Sequence, residues 1–168
     1  MSDRDNIHTV WLVEDAELLR STLQAVIDAE SDFECPVAVR SCEDFLAALD
    51  TESPPHLAIV DIGLPGLSGL EVQARMVEMG LTAPVIFITG HGDVPMAVEA
   101  MRGGAVDFLQ KPFDNQVLLA RVKQAIARGR DLRLEAEQRS LAEARLAALS
   151  PREREVLALL VEGRMNKI

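Results

Sequence analysis

The strongest constraint on the fold is a repeated alternation of short apolar runs with stretches of helical periodicity. Five such pairs follow one another, and this pattern predicts parallel strands joined by helical crossovers. We therefore expect an α/β fold, a doubly wound five-stranded parallel sheet with helices on both faces. The predicted strands are Thr9–Val13, Pro36–Val39, Leu57–Val60, Pro84–Thr89 and Val106–Gln110. The predicted helices cover residues 16–29, 43–49, 70–79 and 94–102, with a fifth starting near Asp114.

Polar side chains stand where four of the predicted strands end. Glu14 and Asp15 follow the first strand, Asp61 follows the third, Thr89 ends the fourth and Lys111 follows the fifth. In doubly wound folds the functional site lies at the carboxyl ends of the strands. We therefore expect these five side chains to meet at one edge of the sheet.

Three carboxylates at that edge need a compensating charge. At a separation of a few ångströms they repel one another, so that one would take up a proton or the site would open. A magnesium ion would remove this repulsion, because Mg²⁺ prefers oxygen ligands and keeps several of its waters. The sequence places no cluster of His and Cys nearby to favour zinc instead. Asp61 itself has three interpretations at this point: a cap of the next helix, a metal ligand, or a nucleophile that forms an aspartyl phosphate.

Four segments around these residues resemble those of response-regulator receiver domains. They are the acidic pair after the first strand, "IVDIGLPGLSG" around Asp61, "FITGHGD" at Thr89 and "FLQKPF" at Lys111. The resemblance covers roughly residues 8–125 and implies a flavodoxin-like strand order of 2-1-3-4-5. It also implies that Asp61 accepts a phosphoryl group, with Thr89 and Lys111 as the catalytic residues beside it.

The same resemblance implies a metal site and a switch. The implied Mg²⁺ ligands are the acidic pair, the phosphoacceptor and one main-chain carbonyl, supplied by Glu14, Asp15, Asp61 and Gly63. The implied switch consists of Thr89, which would move inward on phosphorylation, and Phe108, which would fill the vacated space.

Three positions depart from the usual pattern of the family. Glu14 stands where an aspartate is more common, and Ala16 stands where another acidic or polar residue is more common. Phe108 lacks a hydroxyl, so its switch would act by packing alone. His91, two residues past Thr89, occupies a position that can modulate dephosphorylation in the family.

Beyond the receiver-like part the chain continues into a long helical stretch. No proline interrupts residues 114–149, which favours one linker helix. Ser150-Pro151-Arg152-Glu153 then matches a capping box with proline at the first helical position. The stretch "LSPREREVLALLVEGRMNKI" is similar to the opening of the LuxR-type (NarL-type) helix-turn-helix domains found in FixJ-like two-component transcription regulators.

We therefore divide the chain into three parts. Residues 1–125 are predicted to be the receiver domain, 126–149 a helical linker, and 150–168 the incomplete start of a LuxR-type DNA-binding domain. The helices that would form the helix-turn-helix are absent or just begun, so we expect the chain to be truncated in its output domain. The apolar stripe within 156–161 should then lack packing partners, and fray, self-associate or dock elsewhere.

Charge and cysteine content indicate which partners the protein can bind and in which cellular compartment it is found. Residues 1–113 carry 6 Lys and Arg against 19 Asp and Glu, whereas residues 114–168 carry 11 against 8. An acidic body does not favour nucleic acid, so DNA binding is expected only of the full-length protein. The two cysteines match neither a CxxC motif nor a disulfide framework. With no signal peptide and no membrane-length apolar run, we expect a cytoplasmic protein.

The resemblance implies a phosphorylation-controlled response regulator. A sensor histidine kinase would phosphorylate Asp61, and the protein would regulate transcription as a phosphorylation-dependent homodimer. It would not be an enzyme beyond catalysing its own phosphorylation and dephosphorylation. One alternative is a stand-alone receiver relay, against which the LuxR-like segment argues. Another is an aspartate-nucleophile phosphatase, but Gly63 stands where that class usually has a general acid.

Overall fold

The computed structural model describes residues 6–90 and 94–163, in which six strands and six helices follow one another. The strands are β1 His8–Val13, β2 Phe33–Glu34, β3 Ala38–Val39, β4 Leu57–Asp61, β5 Val85–Thr89 and β6 Asp107–Gln110. The helices are α1 Glu17–Asp28, α2 Cys42–Thr51, α3 Gly69–Glu78, α4 Val94–Arg102, α5 Asn115–Ala147 and α6 Pro151–Val161. The predicted α/β class is confirmed.

The sheet is parallel and its strand order is β2-β1-β4-β5-β6, with β3 also paired with β1. Strands β2 and β3 pair with successive parts of β1 and together occupy the place of the predicted second strand. Counted as one interrupted strand, they give the predicted order 2-1-3-4-5. The prediction of a single strand at Pro36–Val39 was wrong, because Pro36 lies between the two short strands and has no N–H for the ladder.

Alternation of side chains along the central strands creates an apolar layer on each face of the sheet. In β1, Val10 and Leu12 belong to a buried cluster that includes residues of α1 and α5. Trp11 and Val13 belong to a second cluster that includes residues of α2, α3 and α4. Both faces are therefore covered, as expected for central strands that are apolar on each side.

Helix α4 is less buried than its sequence suggests. The apolar stripe at 94–101 predicts a mostly buried helix, but Ala100 is the one buried residue of α4. Val94, Val98 and Met101 are 71%, 43% and 47% exposed. The physical reason is that α4 packs beside β6, the last strand of the sheet, so that only one row of its side chains meets the core.

The chain divides into two compact units, residues 1–129 and 130–168. In the first unit the start of α5 contributes five buried side chains to the core: Leu118, Leu119, Val122, Ala125 and Ile126. Although α5 has 33 residues, neither it nor any other helix in the described part of the chain is long and apolar enough to cross a membrane.

In the second unit, α6 begins with the predicted capping box at Ser150 and proline at its first turn. None of its residues, all of which are described, is buried. The predicted apolar stripe is exposed, with Leu160 at 55% and Val161 at 80%. Fraying, self-association and docking elsewhere, the three outcomes expected for this stripe, stay predictions.

A second capping box fixes the start of α3 just after the loop that follows Asp61. The Ser68 N–H donates to Glu71 Oε2 at 2.6 Å, and the Glu71 N–H donates to Ser68 Oγ at 3.3 Å. We expect Ser68→Ala to lower the free energy of unfolding by about 1 kcal/mol, because the Glu71 N–H loses its acceptor. Urea denaturation measures this change. Ser150→Ala removes the matching cap of α6 and should leave the main transition unchanged; an equal loss in both variants would contradict the prediction.

Two buried thiols make the stability sensitive to alkaline pH. Burial, with Asp28 nearby, raises the pKa of Cys35 to about 12. Burial, with Glu43 nearby, raises the pKa of Cys42 to about 11. Thiols in the unfolded chain titrate near about 8.5, so the unfolded state loses these protons first. We therefore expect their contribution to the free energy of unfolding to be complete below about pH 8.5 and to be lost as the pH rises toward 11–12. Urea denaturation at several pH values in this range measures how steeply the free energy of unfolding falls with pH. If a Cys35→Ala/Cys42→Ala variant showed the same fall, the prediction would be refuted.

Candidate functional site

The three acidic side chains predicted at the sheet edge form one cluster. Glu14 follows β1 and Asp61 ends β4, and these strands are neighbours with Val13 paired to Val60. One carboxylate oxygen from each of Glu14, Asp15 and Asp61 lies within 4.8 Å of the other two. Glu14 and Asp61 are buried, whereas Asp15 is exposed. The cluster therefore meets solvent on the side of Asp15.

Lys111 supplies the positive charge that this cluster faces. Its Nζ lies 2.6 Å from Glu14 Oε2 and 2.7 Å from Asp61 Oδ2. Lys111 follows β6, and β5 separates β6 from β4, so the side chain reaches across the end of β5. The Lys111 N–H donates to the carbonyl oxygen of Thr89, the last residue of β5, at 2.6 Å. Through its two short contacts, the ammonium group compensates the negative charge of both Glu14 and Asp61.

The pKa of Glu14 and the pKa of Lys111 are both raised, but by different causes. For Glu14, burial disfavours the charged carboxylate and raises its pKa, although the hydrogen bonds from Lys111 and the Ala16 N–H act in the opposite direction. For Lys111, burial alone would lower the pKa, but the hydrogen bonds to Asp61 and Glu14 outweigh it and the pKa is raised. Lys111 is therefore an ammonium at neutral pH, and a further cation at the cluster would favour ionised Glu14.

Hydrogen bonds at both ends hold the loop after Asp61. The Gly63 N–H donates to Asp61 Oδ1 at 2.9 Å, and the Leu67 N–H donates to Glu43 Oε1 at 3.0 Å. Between them Gly66 has a φ of +87°, in the region that favours glycine. A Cβ at Gly66 would also lie 2.6 Å from Glu43 Oε1. These contacts keep Gly63 next to the Asp61 carboxylate.

The two predicted switch residues lie on neighbouring strands and face the same side of the sheet. Thr89 ends β5 and is 4% exposed. Phe108, in β6, pairs with Phe87, which precedes Thr89 by two residues in β5. Because side chains alternate along a strand, Thr89 and Phe87 point to the same face. Phe108 is half-buried against the same apolar cluster as Phe87, on the face covered by α2, α3 and α4.

The donor atoms of the cluster fit a hard divalent cation. They are carboxylate oxygens, and the main-chain carbonyl of the neighbouring Gly63 adds another oxygen to the loop. Mg²⁺ takes oxygen ligands of this kind and retains waters on its open side. Within the described residues the cluster contains no His or Cys, the ligands that would favour zinc. His91, the predicted modulator, lies outside the described residues.

Two residues that contact these loops were not predicted from the sequence. Glu43, at the start of α2, accepts a hydrogen bond from the loop after Asp61. Arg20, in α1, donates to the main-chain carbonyls of Glu14 and Asp15. Neither contact has a signature in the sequence, because each side chain binds the backbone of another segment and backbone groups are common to all residues.

Comparison with known proteins agrees with this geometry. The family model described as "Response regulator receiver domain" matches residues 10–123. Nodulation protein W of Bradyrhizobium diazoefficiens is 51% identical over 111 residues, which cover 65% of this chain and 48% of that protein. Transcriptional regulatory protein FixJ of Azorhizobium caulinodans is 38% identical over 160 residues, which cover 94% of this chain and 74% of that protein. The chain thus spans about half to three-quarters of the length of these relatives.

Solved structures show the same similarity. The crystal structure of full-length FixJ from B. japonicum aligns with a TM-score of 0.68 at 38% identity, covering 93% of this chain and 75% of that chain. The structure of response regulator StyR aligns with a TM-score of 0.72 at 34% identity, covering 94% of this chain and 78% of that chain. Together with the match over residues 10–123, these alignments show that the chain belongs to the response regulator receiver domain family.

Proposed function

We propose that the protein accepts a phosphoryl group on Asp61 from the phosphohistidine of a sensor histidine kinase. The observation that carries this proposal is the position of the Asp61 carboxylate. One of its oxygens lies within 4.8 Å of carboxylate oxygens of Glu14 and Asp15, and Oδ2 lies 2.7 Å from the ammonium of Lys111. A carboxylate in such surroundings can act as a nucleophile, while the Lys111 ammonium and a cation held by the carboxylates would stabilise the negative charge of a transferring phosphoryl group.

In the proposed reaction an Asp61 carboxylate oxygen forms a bond to phosphorus as the phosphorus–nitrogen bond of phosphohistidine breaks. The electron pair of that bond leaves with the imidazole nitrogen, which can then take up a proton. Lys111 exchanges its contact with Asp61 for one with a phosphoryl oxygen, and the Thr89 hydroxyl donates a hydrogen bond to another. Mg²⁺ bound by Glu14, Asp15, Asp61 and the carbonyl of Gly63 would supply positive charge to the phosphoryl oxygens.

The phosphorylated site would then change the surface of the domain. Thr89 and Phe108 face the same side of the sheet, so movement of Thr89 toward the phosphoryl group would let Phe108 repack on that face. The exposed apolar side chains of α4 lie on the same face and would take part in phosphorylation-dependent homodimer formation. We further propose that a longer form of the protein carries a LuxR-type output domain and regulates transcription through DNA.

The protein would catalyse only its own phosphorylation and dephosphorylation. In this proposal Asp61 is itself the carrier of the phosphoryl group, and hydrolysis of the aspartyl phosphate restores the Asp61 carboxylate. The receiver part is acidic overall and would repel DNA. DNA is therefore expected to bind the output domain alone.

The test is uptake of phosphoryl groups from a small phosphodonor such as phosphoramidate. With Mg²⁺ present we expect the intact mass to rise by one phosphoryl group per chain, and mapping of the modified peptide to locate it at Asp61. Hydroxylamine should remove the group, as it does from acyl phosphates, and chelation of Mg²⁺ should slow its uptake. A chain that takes up no phosphoryl group, or takes it up on a serine or histidine, would refute the proposed function.

A further inference from the structure

Arg20 lies in α1, and its side chain turns back toward the end of β1. Arg20 Nη1 donates hydrogen bonds to the carbonyl oxygen of Glu14 at 2.9 Å and to that of Asp15 at 3.3 Å. Glu14 and Asp15 carry two of the three carboxylates of the acidic cluster. One guanidinium group therefore holds the backbone of both site residues that follow β1.

This segment has little other support at the start of the helix. Ala16 is the N-cap of α1 and makes no side-chain capping hydrogen bond, whereas Ser, Thr, Asn or Asp usually occupies this position and binds the first turn. The Ala16 N–H donates instead to Glu14 Oε1 at 3.0 Å. The orientation of the Glu14 carboxylate thus depends on Lys111 and on the backbone of residues 14–16, to which Arg20 is hydrogen-bonded.

We propose that Arg20 is a positioning residue for the Mg²⁺ site. By binding the carbonyls of Glu14 and Asp15, it fixes the direction in which their carboxylates leave the backbone, in a segment where Ala16 provides no side-chain cap. Both hydrogen bonds come from Nη1, whose two N–H groups point in fixed directions within the guanidinium plane, an arrangement that the rotatable ammonium of lysine does not reproduce. The inference rests on the proposed function only in that it takes the acidic cluster to bind Mg²⁺.

Charge and positioning predict opposite results when Arg20 is removed. A cation next to a metal site repels the metal. If Arg20 acted through its charge alone, its removal would therefore tighten Mg²⁺ binding. Loss of a positioning contact would instead weaken Mg²⁺ binding, because residues that orient metal ligands typically contribute a factor of about 10–100 to affinity. The sign of the change therefore distinguishes the two roles.

The experiment is a calorimetric titration of the whole chain with MgCl₂ for the wild type, Arg20→Met, Arg20→Lys and Arg75→Met. Arg75 is a matched control, since its ion pair with Glu78 is exposed and removing it changes the net charge by the same amount. We expect Arg20→Met and Arg20→Lys to bind Mg²⁺ about 10-fold more weakly, with Arg75→Met unchanged. Tighter binding by Arg20→Met, or wild-type affinity in Arg20→Lys, would overturn the proposal.

Two further readouts separate this proposal from the function on which it rests. In metal-free protein, amide exchange at Ala16 should be faster in Arg20→Met than in the wild type or Arg75→Met, and equal rates would overturn the proposal. Phosphoryl uptake by Arg20→Met should return to the wild-type rate at saturating Mg²⁺. Mg²⁺ binding without phosphoryl uptake in the wild type would refute the proposed function alone, whereas absence of Mg²⁺ binding would overturn both.

Discussion

An Asp61→Asn variant is expected to lose phosphoryl uptake completely. The amide nitrogen and oxygen of asparagine are far weaker nucleophiles than a carboxylate, so no bond to phosphorus forms at this position. The variant should remain folded, because the amide oxygen can still accept the hydrogen bond that the Gly63 N–H donates to Asp61 Oδ1. Intact-mass measurement after incubation with phosphoramidate and Mg²⁺ gives the result, and circular dichroism verifies the fold.

Asp107→Asn is the matched control for this variant. Asp107 begins β6 at the opposite edge of the same parallel sheet and forms an ion pair with Arg121. Its replacement changes the charge by the same amount without altering the acidic cluster, so wild-type uptake is expected. If Asp61→Asn took up phosphoryl groups as the wild type does, Asp61 would not be the acceptor.

The fold could be predicted because its information is local. The apolar runs at 57–60 and 84–89 and the helical periodicities between them specify which segments are strands, and the alternation itself specifies a parallel sheet. The site followed from topology, since parallel strands place their carboxyl ends at one edge. This is how Asp61 and Lys111, which are 50 residues apart in sequence, could be expected together before their 2.7 Å contact was known.

The features that could not be predicted depend on contacts between elements. The exposure of α4 follows from its place beside the last strand, whereas its sequence shows only an apolar stripe. The pairing of β2 with the first residues of β1 depends on where those two segments meet. The contacts of Arg20 and Glu43 are made to main-chain groups, which have no residue-specific signature. In each case the missing information is the position of a neighbour, which periodicity does not contain.

A Lys111→Met variant is expected to bind Mg²⁺ more tightly and yet to take up phosphoryl groups more slowly. The ammonium lies 2.6 Å and 2.7 Å from carboxylate oxygens of Glu14 and Asp61, both members of the cluster that would bind the metal. It therefore competes with Mg²⁺ for the same negative charge. Without it the carboxylates repel one another unopposed, and Mg²⁺ relieves more repulsion when it binds. Since the lysine side chain is partly exposed, we expect a gain of about 10-fold, which corresponds to about 1.4 kcal/mol.

The rate should change in the other direction, because Lys111 has a second task during transfer. A preorganised cation that meets a developing negative charge typically contributes a factor of about 10²–10³ to the rate. Uptake by Lys111→Met at saturating Mg²⁺ should be slower by that order, so tighter metal binding cannot compensate for the missing ammonium. Calorimetric titration gives the affinity, and the time course of intact mass gives the rate. Lys111→Arg is the control, because it changes the side chain but keeps the positive charge. Weaker Mg²⁺ binding in Lys111→Met would mean that the lysine organises the carboxylates for the metal and does not compete with it.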